Sequence, residues 1–426
     1  MKNYIAKVKD AFRENSPYKQ LLLAILITGL SYGLQKGMID NYLAEVVGMG
    51  EMGKGVTEFF RELPGILLVF ILAAFYMLSA ETLYKVGAVF LLIGMGMHAI
   101  LPPSKVMITL AICVYSLGDH IQLGMKNTMA LEYSKPDRGG AALGAHNAMN
   151  QIGTLGGYAV IVLAFTLFSN VGVGLYKTFF WVATVLAAVS LVFCLRINGN
   201  SETDETKRRF YFHKKYHKYY MLEMFYGARK QVFLTFGPYV LILFYGASAA
   251  TISFLFAVSA IVGFFASPVV GRIIDKLGYK TVMVADTLIL VIVCFFYGFA
   301  HHLFPMDLAF LVCCINYILD SVISLASMAS NLYVKDLSDN QEEVKATIST
   351  GVSINHTITI FIALFGGWIW KSLGIELLFI CSAILGLCNS AYAASIKMPK
   401  KLAAEAAAEL PAEAVAAEET VSPEEK

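Results

Sequence analysis

Four ionisable residues lie deep inside long apolar segments of this 426-residue sequence: Lys36, Asp119, Lys230 and Asp320. Counted along ideal helices, each lies roughly 15–22 Å from the nearer end of its segment. Charged groups are costly in hydrocarbon, so residues in such positions are candidates for function. A lysine there can bind an anionic group as a point charge. A carboxylate in a cavity that alternates between wet and dry can carry a proton.

The basic residues have two interpretations. In the first, Lys36 and either Arg229 or Lys230 face each other and bind a carboxylate or phosphate group. In the second, Asp119 and Asp320 neutralise these bases as buried ion pairs that only fix helix packing. The first interpretation adds solute contacts from polar residues on the same helix faces, namely Tyr32, Tyr226 and Asn316.

A second group of polar residues in the apolar segments is suited to proton transfer or charge pairing: Arg61, Glu62, Asp119, Asp320, His146 and His356. The carboxylates are candidates for coupling to a proton. The alternative for Arg61 and Glu62 is a local ion pair at the outer membrane interface. The two histidines are candidates for substrate contact or proton relay, whereas His120 is interpreted as a packing residue.

Several kinds of site are not expected. The histidines and carboxylates lack the close ligand spacing of a metal site, so no metal or other cofactor is predicted. The seven cysteines lie in apolar runs without metal or disulfide spacing. No nucleophile–base constellation or soluble domain is evident, so the chain is not expected to be an enzyme.

Composition identifies the environment of the chain. It is 57% hydrophobic and 15% charged, with a mean hydropathy of +0.64. A soluble domain could not cover that much apolar surface, so the sequence predicts an all-α membrane protein in contact with lipid. The net charge of +2 argues against a nucleic-acid partner.

Twelve segments are long and apolar enough to cross a bilayer. They are residues 20–46, 57–79, 86–102, 106–130, 143–168, 176–196, 219–245, 250–270, 281–300, 307–333, 346–370 and 374–396. If both termini are cytoplasmic, about 25 of the 33 Lys and Arg residues fall in cytoplasmic segments. We therefore predict a multi-pass protein of the plasma (inner) membrane with both termini inside.

These segments define five regions. A cytoplasmic N-terminal segment (1–19) precedes the first six helices (20–196), and a basic middle loop (197–218) precedes the second six (219–396). The tail 397–426 is rich in Ala, Glu and Pro, lacks an apolar face and is expected to be disordered and cytoplasmic.

The two halves resemble each other. Tyr32-Gly33-Leu34-Gln35-Lys36 matches Tyr226-Gly227-Ala228-Arg229-Lys230, and Asp119 matches Asp320. His146 precedes a Gly-Gly pair by ten residues, and His356 does the same. Matches in the same order indicate an internal duplication, and thus two pseudo-symmetric six-helix bundles.

The loop after the eighth segment carries a motif, Gly271-Arg272-Ile273-Ile274-Asp275-Lys276-Leu277-Gly278-Tyr279-Lys280. It resembles the Gly-x-x-x-Asp-Arg-x-Gly-Arg-Arg loop of the major facilitator superfamily, with Lys for Arg and Tyr279 in place of a basic residue. The resemblance implies two bundles around a cavity lined by helices 1, 4, 7 and 10, and transport by alternating access. It implies a gating role for the loop residues Gly271, Asp275, Lys276 and Gly278.

We therefore expect a secondary active transporter that works as a monomer. The basic residues predict a small organic anion or zwitterion as substrate, moved with protons or by anion exchange. The alternative is proton-driven multidrug efflux, against which repulsion of cationic drugs by the buried bases argues.

Overall fold

The computed structural model describes residues 16–74, 78–134, 139–168, 171–198 and 212–396. Within these ranges the chain is helical and contains no β-strand. Residues 1–15 of the predicted N-terminal segment, 199–211 of the middle loop and the tail 397–426 lie outside the described residues.

The first half contains six long helices. They are α1 (Ser16–Asn41), α2 (Glu51–Ala74), α3 (Ala80–Ile100), α4 (Lys105–Glu132), α5 (Gly139–Leu167) and α6 (Val173–Leu195). One π-helical turn, Tyr42–Val46, extends α1. The Ser104 hydroxyl caps α4 by accepting a hydrogen bond from the Met107 backbone N–H at 3.2 Å. Helix α3 ends just before Pro102, because a residue that precedes proline avoids the helical conformation.

The second half repeats this arrangement. After a short 3₁₀ turn (Lys214–Tyr216) come α7 (His217–Leu243), α8 (Ala249–Leu277), α9 (Tyr279–Leu303), α10 (Met306–Leu337), α11 (Gln341–Leu373) and α12 (Ile375–Ala394). A 3₁₀ turn at Ser324–Ser327 interrupts α10. Helices α8 and α9 are separated only by Gly278, whose φ of 78° lies in the left-handed region that favours glycine.

The twelve predicted spans correspond to these twelve helices. Ten of the helices are long and apolar enough to cross a membrane by composition alone. The other two, α2 and α7, contain several charged residues each, among them Glu58, Arg61, Arg229 and Lys230. Helix α2 begins at Glu51, earlier than the predicted residue 57, and this moves additional charges into the span.

The packing follows the internal repeat. In the first half α1 packs on α5 and α6, and α3 packs on α4 and α6. In the second half α7 packs on α11 and α12, and α9 packs on α10 and α12. Lys85 Nζ donates to the Ile197 carbonyl at 2.8 Å, and Lys280 Nζ donates to the Ile396 carbonyl at 2.9 Å. The halves are therefore two bundles of the same design, as the sequence repeat predicts.

The two bundles meet through α2 against α11 and through α5 against α8. Tyr239 donates to the Met49 carbonyl at 2.7 Å, and Asn41 Nδ2 donates to the Ala247 carbonyl at 2.8 Å. Both hydrogen bonds join the α1–α2 segment to the end of α7 and the loop that follows it. The bundles are thus closed against each other at the end of the molecule that holds these loops.

Candidate functional site

Ion pairs connect α1 to α2 at the interface between the bundles. Lys36 Nζ lies 3.1 Å from Asp40 Oδ2, one turn along α1. Lys54 Nζ lies 2.6 Å from Asp40 Oδ1 and 2.6 Å from Glu58 Oε1. Lys54 is only 1% exposed, so its charge is balanced by these two carboxylates rather than by water.

The same network continues along α2 into the other bundle. Arg61 pairs with both Glu58 and Glu62. On the far side of Glu62, His356 Nδ1 of α11 lies 3.0 Å from Glu62 Oε2. We call the residues Lys36, Asp40, Lys54, Glu58, Arg61, Glu62 and His356 the charged belt. The belt contains three lysine or arginine residues and three carboxylates, so with a neutral histidine its formal charges cancel.

Three members of the belt were not predicted from the sequence: Asp40, Lys54 and Glu58. Lys54 precedes residue 57, where the second predicted span begins, but it lies inside α2 in the structure. The available signal was spacing, since Lys36 and Asp40, and also Lys54 and Glu58, are separated by four residues and meet on one helix face.

Lys36 lies at the end of the belt that faces the C-terminal bundle. Its side chain is 27% exposed, and Nζ lies 5.0 Å from the ring centroid of Phe256 on α8. Tyr32, one turn earlier on α1, is within electrostatic reach of Asp40, Arg61 and Asp119. Lys36 therefore lies where α1 contacts α8 of the other bundle.

Asp119 on α4 is partly exposed. Within the described part of the chain it makes no hydrogen bond and no ion pair. The interpretation in which Asp119 pairs with a buried base therefore differs from the arrangement seen, where the partner of Lys36 is Asp40. The Asp119 carboxylate, on the N-terminal bundle, thus has no ion-pair partner among the described residues.

Arg229 and Lys230 are adjacent in sequence but differ in environment. Arg229 is 1% exposed, and its NH2 lies 3.0 Å from Asp286 Oδ2 on α9. Asp286 was not predicted from the sequence as a site residue. Lys230 is partly exposed and has no hydrogen bond or ion pair to any described residue. Because adjacent helix residues point about 100° apart, one base enters the bundle and the other does not.

Tyr226 lies beneath both of these bases. Its ring centroid is 4.9 Å from Arg229 Cζ and 5.7 Å from Lys230 Nζ, within range of cation–π attraction. Its hydroxyl donates to the Ser324 carbonyl at 3.1 Å, at the 3₁₀ turn of α10. Tyr226 thus links Lys230 to the break in α10.

The polar face of α10 lies close to these bases. Asp320 is 7% exposed, and its Oδ1 is buried without a hydrogen-bond partner among the described residues. Arg229 and Lys230 both act on it electrostatically, yet neither forms an ion pair with it. Asn316, one turn earlier, donates to the Val312 carbonyl of its own helix at 2.8 Å.

The histidines separate into two environments. His356 and His120 approach each other with ring centroids 5.3 Å apart, and both lie beside Glu62. His146 is buried on α5 and does not join them. The linear spacing of histidines and carboxylates argued against a metal site, but the fold brings three of these residues together from α2, α4 and α11.

The loop motif lies at the end of α8. Asp275 and Lys276 are exposed on its last turn, and Asp275 makes no ion pair with any other described residue. Gly271 lies within α8 with open space around it, whereas Gly278 forms the turn. In the first half, Glu81 instead pairs with Lys85 at 2.6 Å and accepts a hydrogen bond from Tyr133 at 2.9 Å.

Comparison with known proteins identifies the fold. Residues 219–421 match the family model of the Major Facilitator Superfamily. The nucleoside transporter NupG is 14% identical with a TM-score of 0.69, over 89% of this chain and 100% of that one. A D-xylose-proton symporter is 13% identical with a TM-score of 0.69, over 89% and 97% of the two chains.

A POT family transporter in complex with 5-aminolevulinic acid is 13% identical with a TM-score of 0.68, over 88% of this chain and 95% of that one. At these identities the solved structures establish a shared fold. No curated protein is significantly similar to the chain.

Proposed function

We propose that this chain, which is a secondary transporter of the major facilitator type, carries a small zwitterion or organic anion by alternating access. The solute would bind between the bundles, in contact with α1, α4, α7 and α10. The proposal places the protein in the plasma membrane, as a functional monomer with both termini in the cytoplasm.

The observation that supports this proposal is the difference between paired and unpaired charges. Lys36, Lys54 and Arg229 each have a carboxylate partner within 3.1 Å. Lys230 has none among the described residues, so its charge remains free to bind a carboxylate or phosphate group of the solute. Lys36, which is paired but partly exposed, would contact the same group.

The unpaired carboxylate of Asp119 favours a zwitterion over a plain anion. It projects from the N-terminal bundle, whereas Lys230 projects from the C-terminal bundle. A solute with an ammonium group and a carboxylate could satisfy both residues at once. It would therefore bind best when the bundles are close together, and this couples binding to the conformational change. Tyr32 and Tyr226 would add hydrogen-bonding and aromatic contacts.

Asp320 is the proposed proton carrier. A buried carboxylate oxygen without a partner is costly, and protonation removes the charge. Because Asp320 lies within electrostatic reach of Lys230, a change in its charge would alter the attraction of Lys230 for the solute. Exchange of one anion for another is the form of transport that would not need this proton.

Two unpaired carboxylates, Asp119 and Asp320, also support a second candidate, the export of cationic drugs with protons. The two candidate functions predict different results when a charged residue is replaced by a neutral one. Drug export would survive the loss of Lys230 and fail without Asp119 or Asp320. Zwitterion transport requires Lys230 and Asp119 together.

The test uses purified protein in two stages. A thermal-shift screen of amino acids, organic anions, phosphate esters and cationic dyes selects a solute, because binding stabilises the folded protein. Uptake of that solute is then measured in proteoliposomes. Loss of one charge-assisted hydrogen bond predicts about 10- to 100-fold weaker binding for Lys230→Gln.

Lys371→Gln is the control, since Lys371 is an exposed lysine near the end of α11. It should transport as the parent does, and Lys230→Arg should retain part of the activity. Normal uptake by both Lys230→Gln and Lys36→Gln in folded protein would refute the cationic binding site.

A further inference from the structure

Three potential metal ligands converge where the two bundles meet. Glu62 comes from α2, His120 from α4 and His356 from α11. One ligand atom from each lies within 4.8 Å of the others, and the shortest separation is 3.0 Å between His356 Nδ1 and Glu62 Oε2. Glu62 and His120 are buried, and the His356 side chain is 26% exposed, which leaves a path of access to the cluster.

The ring of His120 is oriented as a metal-binding imidazole would be. Its Nδ1 lies 2.8 Å from the Ser116 carbonyl oxygen, which can only accept a hydrogen bond. The ring proton is therefore on Nδ1, and Nε2 keeps its lone pair. A hydrogen bond from the second ring nitrogen to a backbone carbonyl is the usual support for a metal-bound histidine.

Gly65, one turn after Glu62 on α2, leaves a space in front of both rings. A Cβ atom added there would lie 2.8 Å from His120 Nε2 and 3.3 Å from His356 Nδ1. His120 Nε2 and His356 Nδ1 thus border the same small space, which stays open because Gly65 has no side chain. A side chain at this position would occupy the place between the two imidazoles.

The distances suit a tetrahedral ion after small side-chain rotations. Ligand bonds of about 2.0–2.1 Å in a tetrahedron separate the ligand atoms by about 3.3 Å. The cluster spans 3.0 to 4.8 Å, so its atoms would move by about 1–2 Å at most. Two imidazoles and one carboxylate favour Zn²⁺ and similar transition-metal ions over Mg²⁺ or Ca²⁺.

We infer that Glu62, His120 and His356 form a binding site for a divalent transition-metal ion between the bundles. The ion takes Glu62 Oε2, His120 Nε2 and His356 Nδ1 as ligands and leaves one position for water or a solute group. Arg61 remains paired with Oε1, the other carboxylate oxygen of Glu62, and it also pairs with Glu58.

The site has a mechanical consequence. Two ligands belong to the N-terminal bundle and one to the C-terminal bundle, so an ion held by all three joins the bundles at this depth. When α2 and α11 separate, His356 leaves the coordination sphere. Binding therefore favours the conformation described here over the opposite one, and the ion slows the transport cycle.

Co²⁺ absorption tests the site, because tetrahedral Co²⁺ with histidine ligands absorbs visible light and reports coordination directly. The protein for this experiment is purified without a histidine tag, which would itself bind Co²⁺. The parent is His301→Gln/His302→Gln, since His301, His302 and Glu376 form another group that could hold an ion. We expect one Co²⁺ per chain, displaced by Zn²⁺, and loss of the visible band in His120→Ala and in His356→Ala.

His146→Ala is the matched control, a buried histidine outside the cluster, and it should keep the band. Gly65→Ala should weaken Co²⁺ binding at least tenfold although all three ligands remain. It therefore tests the site even if His120→Ala fails to fold. The inference is overturned if the parent shows no tetrahedral band, or if His356→Ala and Gly65→Ala bind Co²⁺ like the parent.

The outcome is independent of the proposed substrate. Lys230→Gln should bind Co²⁺ normally while transport fails, and His356→Ala should lose the ion while solute binding persists. Zn²⁺ should slow uptake in the parent and leave uptake by His356→Ala unchanged. Equal inhibition of both proteins would contradict the bridge between bundles.

Discussion

Charged residues within the helices of this protein belong to two groups, those that have ion-pair partners and those that have none among the described residues. In the belt, Lys54 has two carboxylate partners at 2.6 Å, and each of those partners also contacts another base. Outside the belt, Lys230, Asp119 and Asp320 have no ion-pair partner among the described residues. Charges of the first group link α1 to α2. Those of the second group are the residues to which the proposed function assigns the solute and the proton.

Lys54→Met tests the first group by stability. The substitution leaves the buried carboxylates of Asp40 and Glu58 each with one base fewer. Breaking a buried ion pair from one side costs about 3–5 kcal/mol, so we expect a clearly lower melting temperature in detergent. Lys371→Met, an exposed lysine, should melt like the parent. Equal melting temperatures for the two variants would show that Lys54 is not needed to balance the belt.

At the scale of elements, glycines allow α1 and α5 to pack backbone against backbone. A Cβ atom at Gly157 would lie 2.6 Å from the carbonyl carbon of Gly33, and one at Gly153 would lie 2.1 Å from the Leu26 carbonyl oxygen. Glycines four residues apart on α5 thus let the two backbones touch, as small residues do in membrane helix pairs.

Gly157→Ala and Gly156→Ala form a matched pair for this contact. The methyl group at residue 157 meets backbone atoms of α1, which cannot move aside, whereas at residue 156 the nearest atom is Leu30 Cδ1 at 3.2 Å. Overpacking of this kind costs about 1–3 kcal/mol. We expect Gly157→Ala to lower the melting temperature and Gly156→Ala to leave it nearly unchanged. The reverse order would mean that α1 and α5 cross elsewhere.

At the scale of the whole molecule, the cross-bundle hydrogen bonds of Tyr239 and Asn41 close one end. The alternating access that we propose would require this end to open, and these two hydrogen bonds would then break in each cycle. A hydrogen bond contributes only about 1 kcal/mol net, which is small enough to break and large enough to bias the two conformations.

Tyr239→Phe tests that bias. Without its hydroxyl, the closed conformation loses about 1 kcal/mol, so the open population should rise about fivefold. A single reporter, Ser253→Cys at the buried contact between α1 and α8, is labelled with an impermeant maleimide in protein whose seven cysteines are replaced. The labelling rate should increase by the same factor.

Tyr297→Phe is the control for this experiment. The Tyr297 hydroxyl donates to the Gly237 carbonyl at 2.8 Å within the C-terminal bundle, so its removal changes no contact between bundles. Labelling of Ser253→Cys should stay at the parent rate in this variant. A similar increase in both variants would show general loosening rather than opening of the closed end.

The sequence alone determined the environment, the number of helices and their duplication. Apolar length is a local property, and all twelve predicted spans correspond to helices, although α2 and α7 carry several charged residues and are not among the ten that qualify by composition alone. The loop motif and the matched halves indicated the fold. Helix ends were less predictable, as α2 shows, because its first charged turn is stabilised by partners on α1 rather than by its own composition.

Only the tertiary structure decided which charges meet. Neighbours on one helix, such as Lys36 and Asp40, can be inferred from spacing, but Arg229 and Asp286 lie 57 residues apart, and Glu62 and His356 lie 294 apart. Contacts of this kind depend on how each helix is rotated and at what depth it crosses its neighbour. The hydropathy of a segment determines neither the rotation nor the depth of its helix, since many rotations bury a similar apolar area. The packing of α2 against α4 and α11, together with the ion pair from Lys54 to Asp40 of α1, creates the charged belt and the Glu62–His120–His356 cluster.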